Sequence, residues 1–290
     1  MRPMSPAICR RLTQYIEVPN DLGDDRAMKN VMSRDGTSIG YDQAGAGPAL
    51  IIVYGAVSTR SSGSKPELVT LLAPHFTVYS YDRRGRGDSG DTPPYAVDRE
   101  IEDIEAVISE AGGTAFLYGH SSGGCLALEA SRKLGGKVPK VAVYEAPYND
   151  EPAAQQAWSR YLDQLGEALA AGRPGDAVAL FMRSSGTPAE QVDGMRQARF
   201  WLALEAIAPT LAYDHAGVIG KSIAVPTDRL AQVDVPVLVL CGGSSPAYMH
   251  HSAQAISQVI HKAELRTLDG QTHVVQPAAL APVLIEFLRS

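Results

Sequence analysis

Ser121 sits at the centre of Gly119-His120-Ser121-Ser122-Gly123, between an apolar run (Ala115 to Tyr118) and a helix-forming run (Cys125 to Ala130). A G-x-S-x-G pentapeptide in that setting puts its serine on a sharp strand-to-helix turn, hydroxyl exposed on a strained backbone. The flanking residues are glycine because a Cβ would meet the neighbouring strand and helix. The helix N-terminus behind the serine favours negative charge developing there. A hydroxyl is a weak nucleophile until a base takes its proton, and histidine suits that task near neutral pH. Of the seven histidines, His273 alone lies in a short loop between the last strand and the last helix. Ser121 as nucleophile with His273 as base points to attack on a carbonyl. His120 packs against or lines the site, and His215, in Tyr213-Asp214-His215, is a candidate substrate contact. His75 reads as a loop residue, and His250, His251 and His261 as solvated.

At 290 residues, 45% hydrophobic and 20% charged, the chain has an ordinary globular composition and enough length for a large core. A formal net charge of −6 and a pI near 5.7 argue against nucleic acid or an anionic membrane and leave a small-molecule substrate. Cys9, Cys125 and Cys241 show no C-x-x-C spacing, so neither a disulfide framework nor a zinc site is expected. No segment approaches the roughly 18 apolar residues of a membrane span. The N-terminus carries Cys9-Arg10-Arg11 without the apolar run of a signal peptide. These features predict a cytoplasmic monomer or homodimer.

The elements that position Ser121 and His273 follow from apolar periodicity. Polar Ser33 to Thr37 is a turn between two short strands. Ala49 to Tyr54 is a continuous apolar run, as in a strand buried on both faces. After the Gly55-Ala56-Val57 loop comes a short helix with Leu68, Leu71 and Leu72 on one face. Phe76 to Tyr81 is a strand ending in the turn-rich stretch Asp82 to Gly90. Ile101, Ile104 and Ile108 mark a helix with Glu100, Glu102 and Asp103 in its first turn, where the dipole favours acids. The elbow strand and helix follow, then strand Val141 to Tyr144. This alternation implies an α/β fold: a parallel sheet with helices on both faces. Residues 149–231 break the rhythm as an alanine-rich helical insertion, punctuated at Gly172-Arg173-Pro174-Gly175 and Gly186-Thr187-Pro188. Alternation resumes with strand 235–241, a helix near 246–260, strand 263–268 and a last helix carrying Leu280, Leu284 and Phe287. The expected organisation is therefore a loosely ordered leader over 1–25, a core from 26–148 and 232–290, and a lid over 149–231.

Four ordered segments now resemble the α/β-hydrolase superfamily over about residues 30–290: Tyr54-Gly55-Ala56, Asp82 to Ser89, Gly119 to Gly123, and Gly270-Gln271-Thr272-His273. The resemblance implies a mostly parallel central sheet with a helical lid inserted between two strands. It also implies Ser121 as nucleophile, His273 as general base, and an oxyanion hole from the backbone N–H groups of Ala56 and Ser122. Tyr54 stands where many members carry histidine. Tyr54, His120, Tyr148 and Trp201 are taken as substrate contacts. Such sites need no metal, flavin or nucleotide, so no cofactor is expected. The glycines at 85, 87 and 90 are read as a turn packed under the site rather than a phosphate cradle. Arg83, Arg84 and Arg86 are read as solvated or paired with Asp82 and Asp88.

The chain departs from that family at the triad's acid. Most members carry an aspartate just after the strand that follows the lid, but here the loop reads Gly242-Gly243-Ser244-Ser245-Pro246. Either the triad lacks its acid or the acid comes from elsewhere. Glu145, ending the strand after the elbow helix, resembles the glutamate that haloalkane dehalogenases place there, and its longer side chain extends its reach. Its task would be to accept the Nδ1–H of His273 and stabilise the imidazolium. In the other reading Glu145 only bonds backbone groups of the lid. Asp269 is closer to His273 in sequence, but four residues along one loop seldom allow the required approach. A serine rather than an aspartate at the elbow points to hydrolysis of an ester, thioester or lactone. Two other uses of such a fold stay open: a cyclase, lyase or cofactor-free oxygenase, and a ligand-binding receptor.

Overall fold

The computed structural model describes residues 29–290, so the expected leader and Cys9 lie outside the described residues. Strands β1 (Lys29–Met32) and β2 (Ser38–Ala44) form an antiparallel hairpin. Ser33 N–H closes it by donating to the Thr37 carbonyl at 2.8 Å, and Gly36 supplies a φ of +84° in the turn. The remaining strands are β3 (Ala49–Val53), β4 (Thr77–Tyr81), β5 (Phe116–His120), β6 (Val141–Tyr144), β7 (Val237–Gly242) and β8 (Ala263–Leu268). They form one eight-stranded sheet in the order β1-β2-β4-β3-β5-β6-β7-β8, parallel from β4 to β8.

The central strands are covered on both faces, which is why they read as unbroken apolar runs rather than alternating ones. Ile51 and Val53 face one core with Leu117, Val143 and Val239; Ile101 and Ile104 of helix α2 (Val97–Glu110) and Leu126 of α3 (Ser122–Leu134) close it. Leu50 and Ile52 face the other, with Tyr118 and Leu240, beneath α1 (Lys65–Leu72) and the C-terminal helix (Pro277–Arg289). Successive residues of one strand thus divide between two cores, as the pleat requires.

Between β6 and β7 the chain leaves the sheet for four helices, α4 (Pro152–Ala170), α5 (Pro174–Ser184), α6 (Ala189–Met195) and α7 (Phe200–Ile207). A π-helical turn, Tyr213–Ile219, and a short α8 (Thr227–Leu230) follow. Pro152 and Pro174 open the first two helices, where proline's missing N–H is not needed. This excursion has its own apolar core, including Tyr161, Leu165, Val178, Trp201 and Leu204. Ala56 and Val57, from the loop after β3, pack against that core. Helix α9 (Ala247–Val259) then bridges β7 and β8, and the C-terminal helix is α10.

The strand order locates the reactive rim. From β3 the chain moves outward to β4, then returns to β5 on the opposite side of β3. At such a reversal the loops leave in opposite directions and open a crevice at the strands' carboxyl ends, where open α/β sheets bind ligands. The two loops at this reversal carry Gly55-Ala56 and Ser121.

Candidate active site

Ser121 adopts φ +56° and ψ −129°, a conformation that costs a non-glycine residue about 1–3 kcal/mol. Its N–H donates to the Tyr144 carbonyl at 2.9 Å, and its carbonyl accepts the Gly124 N–H at 2.8 Å. Glycine is required on both sides. A Cβ on Gly119 would lie 2.4 Å from the Gly123 carbonyl oxygen, and one on Gly123 would lie 2.2 Å from that of Val53. One on Gly55 would meet the Ser121 Cβ at 2.9 Å, so the β3 loop runs directly beside the serine.

Glu145 leaves the end of β6 with a φ of +50°, its N–H bonded to the Leu240 carbonyl. That turn aims a fully buried side chain across β7. Glu145 Oε2 accepts a hydrogen bond from His273 Nδ1 at 2.7 Å. Oε1 accepts the Gly242 N–H at 2.8 Å and the Ser245 hydroxyl. The loop after β7 that lacks a carboxylate therefore supplies the donors that hold one. Burial alone would raise the Glu145 pKa, but the bonds from His273, Ser245 and Gly242 outweigh it and hold the carboxyl below its usual range. Asp269 is exposed and takes no part in this network.

His120 has a supporting place. Its Nε2–H donates to the His273 carbonyl at 2.9 Å, and the two rings lie 4.8 Å apart. Burial, then the neighbouring His273, pushes its pKa down to about 3, so it stays a neutral prop for the histidine loop. Tyr144 donates its hydroxyl to the Thr272 carbonyl at 2.6 Å, fixing the same loop from β6.

Among the described residues, neither the Ala56 N–H nor the Ser122 N–H makes a hydrogen bond. Both stand at loop or helix starts flanking Ser121. Val57, next to Ala56, has a φ of +46°, rare for a β-branched residue and costing about 1–3 kcal/mol.

The turn after β4 differs from the sequence reading. Gly85, Gly87 and Gly90 do fall at G-x-G-x-x-G spacing, yet α2 begins only at Val97, so no helix opens directly behind them as in a phosphate-binding turn. Arg83, Arg84 and Arg86 are buried, not solvated, and Asp82 and Asp88 pair with Arg60 instead. Arg84 forms ion pairs with Asp103 and Asp35. Arg83 binds Glu100 through two nitrogens and reaches Asp214 of the π-helical turn, which Arg86 binds as well. Glu100 and Asp103, read from the sequence as acids favoured by the α2 dipole, face inward, and each neutralises a buried guanidinium. Arg83 Nη1 also reaches the Tyr54 carbonyl at 3.3 Å, and Arg86 Nη1 the Gly55 carbonyl at 2.7 Å. The Ser122 hydroxyl donates to Asp214 Oδ1 at 2.7 Å. Three arginines in one glycine-rich turn were the visible signal for this cluster; nothing near Asp214 marked it as their partner.

The four expected substrate contacts lie in packing roles. Tyr54 is buried, its hydroxyl sharing a 2.7 Å hydrogen bond with Ser80. With His120, Lys65 and Tyr118 it borders a small cavity on the α1 and α10 side of the sheet. Tyr148 is buried against Cys125 and borders a second cavity with Tyr248 and Ser252. Trp201 belongs to the core of the inserted helices, its Nε1–H on Glu205 at 2.8 Å. His215 is buried too, its Nδ1 hydrogen-bonded with the Tyr161 hydroxyl at 2.7 Å amid Trp158 and Phe181. Among the described residues no group of three or more His, Cys, Asp or Glu could hold a metal ion, and no helix is long and apolar enough to cross a membrane.

A model of the family described as "Alpha/beta hydrolase family" matches residues 56–283. Among solved structures, the chain is similar to an alpha/beta hydrolase from Sphaerobacter thermophilus, with 47% identity and a TM-score of 0.78, covering 90% of this chain and all of that one. A thermophilic esterase from Thermogutta terrifontis matches at 20% identity and a TM-score of 0.67, covering 91% of this chain and 98% of that one. An esterase from Rhodococcus sp. matches at 22% identity and a TM-score of 0.60, with coverage of 91% and 98%. The last two likenesses speak to the fold alone.

Proposed function

The chain belongs to the alpha/beta hydrolase family, and from that premise we propose that it is a serine hydrolase cleaving a small-molecule ester, thioester or lactone through an acyl-enzyme. The observation that carries this reading is the 2.7 Å bond between Glu145 Oε2 and His273 Nδ1, on the rim where Ser121 turns outward at φ +56°. A carboxylate on Nδ1 holds the proton there and leaves Nε2 as the basic nitrogen. His273 Nε2 takes the Ser121 proton as Oγ attacks the substrate carbonyl. The tetrahedral oxyanion is held by the N–H groups of Ala56 and Ser122. On collapse the leaving group departs with the proton from His273, and the acyl group stays on Ser121. Water then repeats the sequence, giving up its proton to His273 and releasing the acid. Glu145 remains a carboxylate throughout and stabilises the imidazolium. The helices between β6 and β7, packed onto Ala56 and Val57, would act as the lid over this rim.

The test is labelling with a fluorophosphonate, read by intact mass, on wild type and Ser121→Ala. A single adduct on wild type and none on the variant is the expected result. An unlabelled wild type that is folded would count against the acyl-enzyme and favour use of the fold without covalent catalysis.

A further inference from the structure

Arg86 Nη1 bonds the Gly55 carbonyl, and that carbonyl belongs to the same planar peptide unit as the Ala56 N–H. Fixing the oxygen therefore fixes the direction in which the Ala56 N–H points. Arg83 holds the preceding carbonyl, Tyr54. Both guanidiniums converge on Asp214, which also accepts the hydroxyl of Ser122, whose own N–H is the other donor. All of these side chains are buried. The cluster is balanced, with Arg83 and Arg86 facing Glu100 and Asp214. Such a cluster is a poor source of stability, because an apolar packing of similar volume is often as stable or more so. Its hydrogen bonds end on the two peptide segments that flank Ser121. Asp214 is also carried by a π-helical turn, a geometry frequent at functional sites. That turn is clamped by Tyr95, which stacks on Tyr213 at 3.9 Å and whose hydroxyl donates to Glu100 at 2.8 Å, 3.2 Å from the Tyr213 carbonyl oxygen. A Cβ on Gly217 would strike the Tyr95 ring at 2.6 Å.

We propose that Asp214 is a positioning residue: from within the inserted helices it sets the orientation of both oxyanion donors, through Arg86 to Ala56 and directly to Ser122. The proposal deepens the acyl-transfer reading and rests on it. It makes the donor geometry depend on the seating of the π-helical turn, so the insertion and the oxyanion hole act as one unit.

The test compares wild type with Asp214→Asn and Ser122→Ala, using a short-chain p-nitrophenyl ester and a trifluoromethyl ketone that forms a tetrahedral adduct on serine. In Asp214→Asn, kcat should fall about tenfold to a hundredfold, as misplacement of catalytic groups does, with KM within twofold. Affinity for the ketone should fall by a matching factor. Ser122→Ala keeps every charge and the Ser122 N–H, so it reads the same device should Asp214→Asn not fold; its kcat should fall severalfold at unchanged KM. A folded variant with wild-type kcat, or a loss carried wholly by KM, would overturn the proposal. Hydrogen exchange over residues 54–58 gives a readout without turnover. Faster exchange there than in wild type, with β7 unchanged, is expected in both variants, and equal exchange would reject Asp214 as a positioning residue. Failure of the acyl-enzyme reading shows separately, as the absence of a fluorophosphonate adduct on wild-type Ser121.

Discussion

Glu145 and His273 are 128 positions apart in the chain, and Glu145 Oε2 lies 2.7 Å from His273 Nδ1. Three features bring them together. β6 and β8 flank β7, Glu145 turns across β7 with a positive φ, and the Gly242 N–H and Ser245 hydroxyl donate to its carboxylate there. A carboxylate thus reaches His273 from the end of β6, while the loop after β7 supplies hydrogen-bond donors to it.

Glu145→Gln should lower kcat by about 10³- to 10⁴-fold, the scale found when a histidine's carboxylate partner is replaced by an amide that favours the wrong tautomer. Exposed Asp269 provides the control, and Asp269→Asn should retain the wild-type rate. Steady-state kinetics with circular dichroism on both variants checks this; the reverse pattern would move the acid to Asp269.

Ala56→Pro removes one N–H from the rim. Loss of an oxyanion donor costs on the order of 3 kcal/mol, so kcat should fall about 10²- to 10³-fold with KM little changed. The measurement is kcat and KM on the same ester.

Gly123→Ala should destabilise the fold as well as the site. Its Cβ would lie 2.2 Å from the Val53 carbonyl oxygen and 2.7 Å from that of Tyr54, both backbone atoms that cannot swing aside. A cost of at least about 3 kcal/mol is expected, or about 6 °C or more in Tm for a chain of this size. Gly136→Ala, where a Cβ would meet nothing within 4 Å, should leave Tm within about a degree.

Acid should weaken the inserted helices through His215. Burial first, and then Arg86 and Arg83 against the opposing pull of Asp214, pushes its pKa down to about 4. The unfolded chain binds that proton near pH 6.5, so the neutral ring's contribution is complete above pH 6.5 and is lost as pH falls towards 4. The drop is about 3 kcal/mol over that interval. Urea midpoints at pH 7 and pH 4 should show a smaller difference in His215→Gln than in wild type. An identical difference would show that His215 does not titrate in this window.

The strand-to-helix turn at Ser121 was legible in the sequence because its signal is local. A serine between glycines, with an apolar run before it and a helix former after it, can satisfy backbone sterics only as a strand-to-helix turn. The strands were legible for a similar reason, since burial on both faces leaves unbroken apolar runs such as Ala49 to Val53. The missing carboxylate after β7 was visible too, and Glu145 followed as the nearest candidate at a neighbouring strand end. Tertiary structure alone decided the rest. Tyr54, Tyr148 and Trp201 are amphipathic, and only the packing of each showed its ring among core neighbours. Arg83, Arg84 and Arg86 looked like solvated cations because burial of a guanidinium depends on its counter-charges. Those counter-charges sit on other elements, Glu100 and Asp103 on α2 at 17 and 19 positions and Asp214 at 131 positions from their arginines. A sequence specifies turns and periodicities over a few residues; which charges share a dry interior is settled only when strand order and the inserted helices bring them together.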